Sequence, residues 1–398
     1  MSGGPKAAKQ ALDCPLDGNT KGLPAFWRRH RVPRLRCESQ SETFERGSPV
    51  KEITRVGVDL AKNVIQVHGV DAQGRPVVRR ALPRDKFLAW CAHLPTGCVV
   101  AMEASSSAHH WARHLVGLGL QARIIAGHRV APYRLQGKSG KNDANDAAAI
   151  CEAASRPGMH FVPIKTVAQQ SQLCVHRLRE GIKEERNACI NRIRGWLAEF
   201  GLVVPQSPRA LRAVLSDMIE DASNEMGTLA RLSLQRCVQQ WRELDAHLDW
   251  CDERIASHVR EDSVAKAALA LTGVGPVTAS AVAASVGDFK QFRSGAQFGA
   301  WLGLVPRQNS SGGKTNLGSI TKRGDTYLRM LLIQAAKSAV MTAHRRDDKI
   351  STWLYQLRER AGWQKAAVAL ANKNARILWA VISRGVAYDP AHVSVKPT

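Results

Sequence analysis

Two aspartates three residues apart, Asp143 and Asp146, lie in a stretch of residues 141–150 whose composition favours helix. On a helix, residues at this spacing share one face, so their negative charges repel each other. A divalent cation held by oxygen ligands is one reason for a fold to keep such a pair. The other reason is a helix start, where aspartate caps the backbone and faces the positive end of the helix dipole. The pair alone leaves both explanations open.

Two further acids, Asp59 and Glu103, each close a short apolar stretch that is typical of a buried strand. If the two strands are neighbours, both carboxylates enter one cleft, where a charge is costly unless it is solvated or paired with a cation. A helix carrying Asp143 and Asp146 can lie across that cleft. Four converging carboxylates predict an oxygen-only site for two Mg²⁺ ions about 3.5–4 Å apart, of the kind that processes phosphates.

The elements around these acids predict the fold class of the first domain. Apolar stretches and turn residues predict, in chain order, strands over 56–60, 64–70 and 76–80, a helix over 84–93, a strand over 98–103, a helix over 107–118, a strand over 121–126 and the helix of Asp143. This order predicts an α/β domain, with a three-stranded antiparallel meander inside a mixed sheet that has helices on its faces.

Two other groups near Glu103 could carry chemistry. His110 and His114 have the spacing of a zinc-binding helix pair, with His109 beside them, but no third ligand follows nearby, so packing is the preferred interpretation. The serines at 105–107 are interpreted as the start of a helix rather than as a nucleophile.

The charge of the chain indicates its partner class. The 398 residues include 57 Lys and Arg against 34 Asp and Glu, a net charge of +23 that is spread along the sequence. Such a field attracts polyanions, so nucleic acid is the predicted partner and a membrane is not. The nine cysteines include no C-x-x-C pair and are interpreted as reduced thiols of a cytoplasmic protein. Residues 1–50 are predicted to be a basic disordered extension.

The middle of the chain is predicted to be helical. Residues 166–200 and 226–259 carry apolar side chains at helical spacing, and residues 201–208 interrupt them. Two long helices joined by a loop predict an antiparallel coiled-coil arm that contacts another subunit or nucleic acid. A spacer with solvated charged faces is the alternative.

The last part of the chain contains two further motifs for phosphate contact. Gly273 and Gly275 lie between two predicted helices, as in a helix–hairpin–helix module whose backbone N–H groups face a phosphate; a plain tight turn is the alternative. Residues 305–346 hold eight Lys or Arg and one acid. The residues in this region that we predict to bind nucleic acid are Arg307, Lys314, Lys322, Arg323 and Arg329.

These motifs together resemble the DEDD transposases of the insertion-sequence-110 family, including its 1111 subgroup. The resemblance rests on Val-Gly-Val-Asp-Leu-Ala-Lys, Met-Glu-Ala-Ser and Lys-Asn-Asp-Ala-Asn-Asp-Ala, and on Pro-Arg-x-x-x-Ser-Gly followed by Ile-Thr-Lys-Arg-Gly-Asp. It runs from about residue 53 to the C-terminal region. It implies a RuvC-like ribonuclease H fold in which the D, E, D and D are Asp59, Glu103, Asp143 and Asp146.

The resemblance also implies a nucleophile and partners. The nucleophilic serine of the family precedes a glycine, which corresponds to Ser311, with Ser310 as the alternative if the register slips by one. The family further implies donor and target DNA, a guide RNA encoded by the element, and a homo-oligomer that is a dimer or a tetramer.

We therefore predict an RNA-guided serine recombinase with four regions. These are the extension (1–50), a RuvC-like domain (53–160), a helical coiled-coil linker (161–260) and a mostly helical transposase domain with the serine loop (264–390). The predicted location is the cytoplasm of a bacterium, in association with the nucleoid. A junction resolvase of the ribonuclease H class, in which water attacks the phosphate, is the alternative. A nucleic-acid-binding protein with an inactive acid cluster is a third reading, which the full acid set disfavours.

Overall fold

A computed structural model describes residues 52–134 and 143–390. The predicted extension over residues 1–50 lies outside the described residues.

The first part of the described chain is built on a six-stranded mixed sheet. Its strands are β1 Arg55–Leu60, β2 Val64–Val70, β3 Pro76–Pro83, β4 Val99–Glu103, β5 Gln121–Ile125 and β6 Phe161–Val162. Their spatial order is β3-β2-β1-β4-β5-β6. The first three strands form an antiparallel meander, β4 and β5 run parallel to β1, and β6 is antiparallel to β5. The predicted mixed sheet is confirmed, although β6, with two residues, was too short to be predicted.

Helices cover both faces of this sheet. They are α1 Phe87–Cys91, α2 Ala108–Gly117, α3 Gly127–Val130 and α4 Asp143–Ser155. Successive side chains of a strand point to opposite faces, and β4 follows this rule. Met102 packs into the core beneath α1 and α2, together with Phe87 and Leu115, whereas Ala101 packs into a smaller core with Ile150 of α4. The sheet is therefore held between α1 and α2 on one face and α4 on the other.

Three helices form the middle of the chain, namely α5 Val167–Glu199, α6 Pro208–Glu220 and α7 Thr228–Glu261. The two predicted long helices, α5 and α7, are confirmed. They run antiparallel, as their side-chain contacts show: residue numbers rise along α5 while those of their partners fall along α7. The pairs are Arg179 with Asp252, Arg186 with Asp245, and Arg192 with Gln240.

The helix α6 is absent from our sequence prediction. Its apolar residues Leu211, Leu215 and Ile219 recur every fourth position and are buried, which is the signal of an amphipathic helix. The break that we predicted at residues 201–208 is a connection between α5 and α6, except that Pro208 already begins α6.

The last part of the chain is mostly helical, as predicted. It comprises α8 Ser263–Leu269, α9 Pro276–Val286, α10 Gly295–Trp301, β7 Pro306–Gln308, β8 Leu317–Ile320, α11 Thr326–Thr342, α12 Lys349–Ala361 and α13 Trp363–Arg384. These helices share one apolar core. The antiparallel hairpin of β7 and β8 was predicted only as a loop. Nearly all of its residues are exposed, so it carries no buried apolar alternation for a sequence pattern to detect.

A polar network centred on the buried residues His176 and Ser280 joins the long helices to this last part. Ser280 of α9 lies 2.9 Å from a ring nitrogen of His176 on α5 and 2.9 Å from one of His258 on α7. The other ring nitrogen of His176 lies 3.0 Å from the hydroxyl of Tyr327 on α11. The two long helices are thus attached to the C-terminal core through specific hydrogen bonds as well as apolar packing.

Candidate functional site

The parallel pairing of β1 and β4 places the first two predicted acids side by side. The register pairs Val58 with Met102, so Asp59 and Glu103, the next residues, lie at the carboxyl ends of neighbouring strands. Both side chains are half-buried. This is the arrangement that the sequence predicted for these two residues.

The helix α4 brings the other two acids to the same place. A Cβ at Gly57 of β1 would lie only 2.5 Å from the backbone nitrogen of Cys151 and closer still to the carbonyl oxygen of Ala147. Such contact is possible only because residue 57 has no side chain. The helix therefore rests directly on β1, and its first turn carries Asp143, which is exposed, and Asp146, which is half-buried.

The electrostatics of Asp59 reflect the charges of the other three acids. Burial, and then the negative charges of Asp143, Asp146 and Glu103, raise the pKa of Asp59 to about 6, while the positive charge of Arg134 lowers it by a smaller amount. Nearby like charges disfavour ionisation, as burial does. Asp59 thus lies within electrostatic reach of the other three predicted carboxylates.

A residue that the sequence did not single out, Arg134, lies inside this acid cluster. Its Nη2 donates to Glu103 Oε2 at 2.5 Å, and its Nε lies 2.8 Å from Asp146 Oδ1. A lone arginine in the stretch Pro-Tyr-Arg-Leu has no spacing that marks it as a site residue. Gly127 makes room for the carboxylate of Glu103, because a Cβ at residue 127 would overlap that carboxylate.

The donors of the cluster suit a hard divalent cation, since all of them are carboxylate oxygens. Two of them, Glu103 and Asp146, already share one positive charge, that of Arg134. Over residues 52–134 and 143–390, however, no three His, Cys, Asp or Glu side chains are arranged as a ready metal site. The oxygen donors fit Mg²⁺ chemically. In this structure, however, Glu103 and Asp146 are paired with the guanidinium of Arg134.

The predicted serines lie at the tip of the β7–β8 hairpin. Gly312 and Gly313 have φ of +56° and +77°, and Lys314 N donates to Ser311 O at 3.0 Å, which closes a tight turn. Two consecutive positive φ values are typical of a two-residue hairpin turn and favour glycine. Ser311 is exposed just before this turn.

The neighbouring Ser310 has a structural role in the hairpin. Its Oγ accepts hydrogen bonds from Gln308 Nε2 at 3.0 Å and from Asn316 N at 3.2 Å. These bonds stay within the hairpin and do not connect it to the four acids. Among the described residues, the side-chain hydrogen bonds of Ser310 thus give no link between the two predicted halves of the site.

Four of the five predicted basic residues are exposed around the hairpin, namely Arg307, Lys314, Lys322 and Arg323. Lys322 has a φ of +55°, an uncommon conformation for a residue with a side chain. Its backbone nitrogen donates to Gly303 O at 3.1 Å, and a Cβ at Gly303 would lie 2.6 Å from Arg323 N. Close packing against Gly303 thus holds Lys322 and Arg323 at the base of the hairpin.

The prediction for Arg329 needs correction. Its side chain is buried, with 8% of its surface exposed. It donates to Leu302 O at 3.0 Å, Arg323 O at 3.2 Å and Thr326 Oγ1 at 3.2 Å. This arginine supports the backbone beneath the hairpin, and a nucleic acid in the solvent has no access to it.

The two glycines between α8 and α9 differ in their surroundings. Gly273 has a φ of +81°, and a Cβ there would lie 2.5 Å from Ala335 O of α11. Tight helix packing accounts for this glycine. Gly275 precedes α9, and a Cβ there would meet no atom within 4 Å.

None of the helices in the described ranges is long and apolar enough to cross a membrane.

The chain matches two family models of known proteins. A model described as "Transposase IS116/IS110/IS902 family" matches residues 265–351. A DEDD transposase model named for IS110 matches residues 56–201. The first covers the serine hairpin, and the second covers all four acids.

Individual transposases are similar to this chain over almost their whole length. A probable family 20 transposase of Pseudomonas aeruginosa is 47% identical over 343 residues, which cover 85% of this chain and 99% of the relative. The transposase for insertion sequence element IS1111A of Coxiella burnetii is 38% identical, with 95% of this chain and 99% of the relative covered. The transposase for IS1328 of Yersinia enterocolitica is 36% identical, with 85% and 99% covered. The chain, with its acid cluster on a mixed sheet and its serine hairpin, therefore belongs to the IS110/IS116/IS902 family of insertion-sequence transposases.

Proposed function

We propose that this transposase cuts and rejoins DNA strands with the acid cluster of Asp59, Glu103, Asp143 and Asp146 and a serine nucleophile. The observation that carries the proposal is the position of Asp59, where burial and then the negative charges of Asp143, Asp146 and Glu103 raise its pKa to about 6. Carboxylates with a perturbed pKa cluster at sites that bind cations or move protons, which supports this assignment.

The four carboxylates are the residues that would hold Mg²⁺, with two ions per site as the family resemblance implies. Bound Mg²⁺ would supply Lewis-acid stabilisation of the charge that develops on a phosphate. The shared use of Arg134 by Glu103 and Asp146 supports this assignment, because it demonstrates that these carboxylates can converge on a single positive charge.

Ser311 is the proposed nucleophile, with Ser310 as the alternative. The Oγ of Ser311 attacks a backbone phosphate, its proton passes to a base, and an O–P bond forms as the P–O bond to the leaving strand breaks. The leaving oxygen takes a proton. The number of phosphoester bonds is unchanged, so the strand can be rejoined without a nucleotide cofactor. The exposure of Ser311 supports this role, whereas the two hydrogen bonds of Ser310 Oγ favour a structural role.

The serine hairpin and the acids lie in different parts of the chain, so a homo-oligomer, either a dimer or a tetramer, is proposed to bring the hairpin of one copy to the acids of another. The hydrogen bonds of Ser310 within its own hairpin support a hairpin that forms independently of the acid cluster.

The exposed cations Arg307, Lys314, Lys322 and Arg323 are proposed to bind the backbones of donor and target DNA and of an element-encoded guide RNA. The backbone at Gly273 and Gly275, before α9, is proposed to contact a phosphate. Charge contacts of this kind contribute affinity, and base pairing with a guide would contribute sequence choice. Arg329 is left out of this surface because its side chain is buried. Transposition would take place in the bacterial cytoplasm, at the nucleoid.

The proposed domain division follows the apolar cores. The RuvC-like domain (53–160), the coiled-coil linker (161–260) and the transposase domain (264–390) each contain a core of their own. The short connection between α8 and α9 is proposed to act as the hairpin of a helix–hairpin–helix element.

The test is denaturing electrophoresis of the full chain with labelled donor and target DNA, guide RNA and Mg²⁺. Wild type is compared with Ser311→Ala, Ser310→Ala and Asp143→Ala. We expect a protein–DNA adduct that Ser311→Ala and Asp143→Ala abolish and that Ser310→Ala retains. If Ser311→Ala still cuts and no variant forms an adduct, the serine mechanism is wrong, and a RuvC-like nuclease in which water attacks the phosphate replaces it.

A further inference from the structure

The guanidinium of Arg134 is shared by two carboxylates from different elements. Glu103 closes β4, and Asp146 lies in the first turn of α4. Glu103 accepts a hydrogen bond from Nη2 at 2.5 Å, and Asp146 lies 2.8 Å from Nε as an ion pair without hydrogen-bond geometry. Arg134 thus joins the sheet to the helix at the point where the acids converge.

The burial of these side chains makes the pairs more than a surface contact. The side chains of Arg134, Glu103 and Asp146 are 39%, 26% and 21% exposed. Charge pairs that are partly withdrawn from solvent are screened less than fully exposed ones. In a cluster of four acids, a single arginine offsets part of the repulsion that would otherwise force the carboxylates apart.

We propose that Arg134 is an internal counter-cation of the acid cluster, which holds Glu103 and Asp146 in place and gives up both carboxylates when a divalent cation binds. This inference rests on the metal site of the proposed function. The oxygen atoms that contact the guanidinium are among those that a cation would need, and two positive charges at one position repel each other. Arg134 therefore lowers the affinity of the site for metal while it preserves the shape of the site.

The first measurement is the affinity of the full chain for Mn²⁺ in the absence of nucleic acid, with electron paramagnetic resonance as the detection method. We expect Arg134→Gln to bind Mn²⁺ about tenfold more tightly than wild type, because the competing charge is gone. Arg134→Lys keeps the charge and should stay near wild type. Arg75→Gln is the matched control, because Arg75 pairs with Asp71 in the turn between β2 and β3, at the other end of the sheet.

The second measurement is thermal unfolding with a chelator and with saturating Mn²⁺. We expect Arg134→Gln to melt below wild type in chelator and to match it in Mn²⁺, since the metal replaces the missing charge. A purely structural arginine would leave the same difference under both conditions, and that result would overturn the proposal.

Asp59→Asn separates this proposal from the one on which it rests. If Asp59→Asn weakens Mn²⁺ binding but Arg134→Gln binds Mn²⁺ no more tightly than wild type, Arg134 does not compete with the metal. The proposal for Arg134 is then wrong, and the proposed metal site stands. If Asp59→Asn binds Mn²⁺ as wild type does, the acid cluster is not a metal site and both proposals fall.

Discussion

Gly57 and Ala147 are in direct backbone contact, and this contact sets the position of the acid cluster. A Cβ at Gly57 would overlap the carbonyl oxygen of Ala147 and lie 2.5 Å from the nitrogen of Cys151. The contact is two residues before Asp59 on β1 and one residue after Asp146 on α4. The distance between the acids of the sheet and those of the helix therefore depends on a position that has no side chain.

Substitution of Gly57 should separate the two halves of the cluster. In Gly57→Ala the added methyl group has no space, so α4 must move away from β1, at a cost of about 1–3 kcal/mol in the free energy of unfolding. We expect urea unfolding to measure this loss and DNA cleavage to fall with it. Gly117→Ala, at the open end of α2, is the control and should be neutral or slightly stabilising. Wild-type cleavage by Gly57→Ala would contradict this account.

The ion pairs of the long helices should make their stability depend on pH. Burial alone would raise the pKa of Asp245 on α7, but hydrogen bonds from Arg212 and Arg186 lower it below its ordinary value of 3.8. A lowered pKa in the folded state contributes stability that is present above the unfolded-state value and is lost as pH falls through the folded-state value.

Asp245→Asn should therefore reduce the free energy of unfolding by about 1–2 kcal/mol at neutral pH. The difference from wild type should shrink as pH is lowered below 3.8. Urea titrations at several pH values measure it. Asp249→Asn removes the same charge at an exposed position of the same helix and serves as the control. An equal loss at every pH would show that Asp245 acts through packing alone.

The turn of the serine hairpin should matter for the reaction and not for global stability. Gly313 has a φ of +77°, which costs about 1–2 kcal/mol for a residue with a side chain. Because the hairpin is exposed, Gly313→Val should distort the position of Ser311 without changing the melting temperature of the whole chain. We expect a lower yield of protein–DNA adduct.

Gly318→Val on β8 is the control for that substitution, because a Cβ there meets only atoms at 3.9 Å in Arg307. An unchanged adduct yield in Gly313→Val would mean that the turn geometry does not position the nucleophile.

Two arginines near the hairpin should differ in how much they contribute to the free energy of unfolding. Arg329→Met leaves the carbonyl oxygens of Leu302 and Arg323 without their buried donor, so we expect a loss of about 2–4 kcal/mol in the free energy of unfolding. Arg307→Ala removes an exposed cation and should change stability by less than about 0.5 kcal/mol.

The exposed Arg307 should instead matter for nucleic-acid binding. Arg307→Ala should weaken binding to all DNA sequences alike and reduce the slope of log affinity against log salt by about 1. Filter binding across a salt series measures this slope. A loss confined to particular target sequences would argue that Arg307 contacts bases rather than phosphates.

Much of this protein is determined by patterns within short segments of the chain. Alternation and turn residues predict β1, β2 and β3, and helical spacing predicts α5 and α7 nearly to their ends, because local backbone preference and burial of one face agree in these segments. The types and spacing of Asp59, Glu103, Asp143 and Asp146 likewise predict a common site, because acids at the ends of neighbouring strands enter one cleft and a helix carrying two acids can lie across it.

Only the tertiary structure decided what lies among and beside those residues. Arg134 has no local signal, because its partners come from a strand and a helix that meet only through long-range packing. Arg329 resembles a surface cation in a basic segment, but folding buries it against Leu302, more than twenty residues away in the chain. A charged side chain has the same identity whether it faces solvent, a carboxylate or a carbonyl oxygen. Its role is set by contacts between distant segments, and the order of residues along the chain does not contain those contacts explicitly.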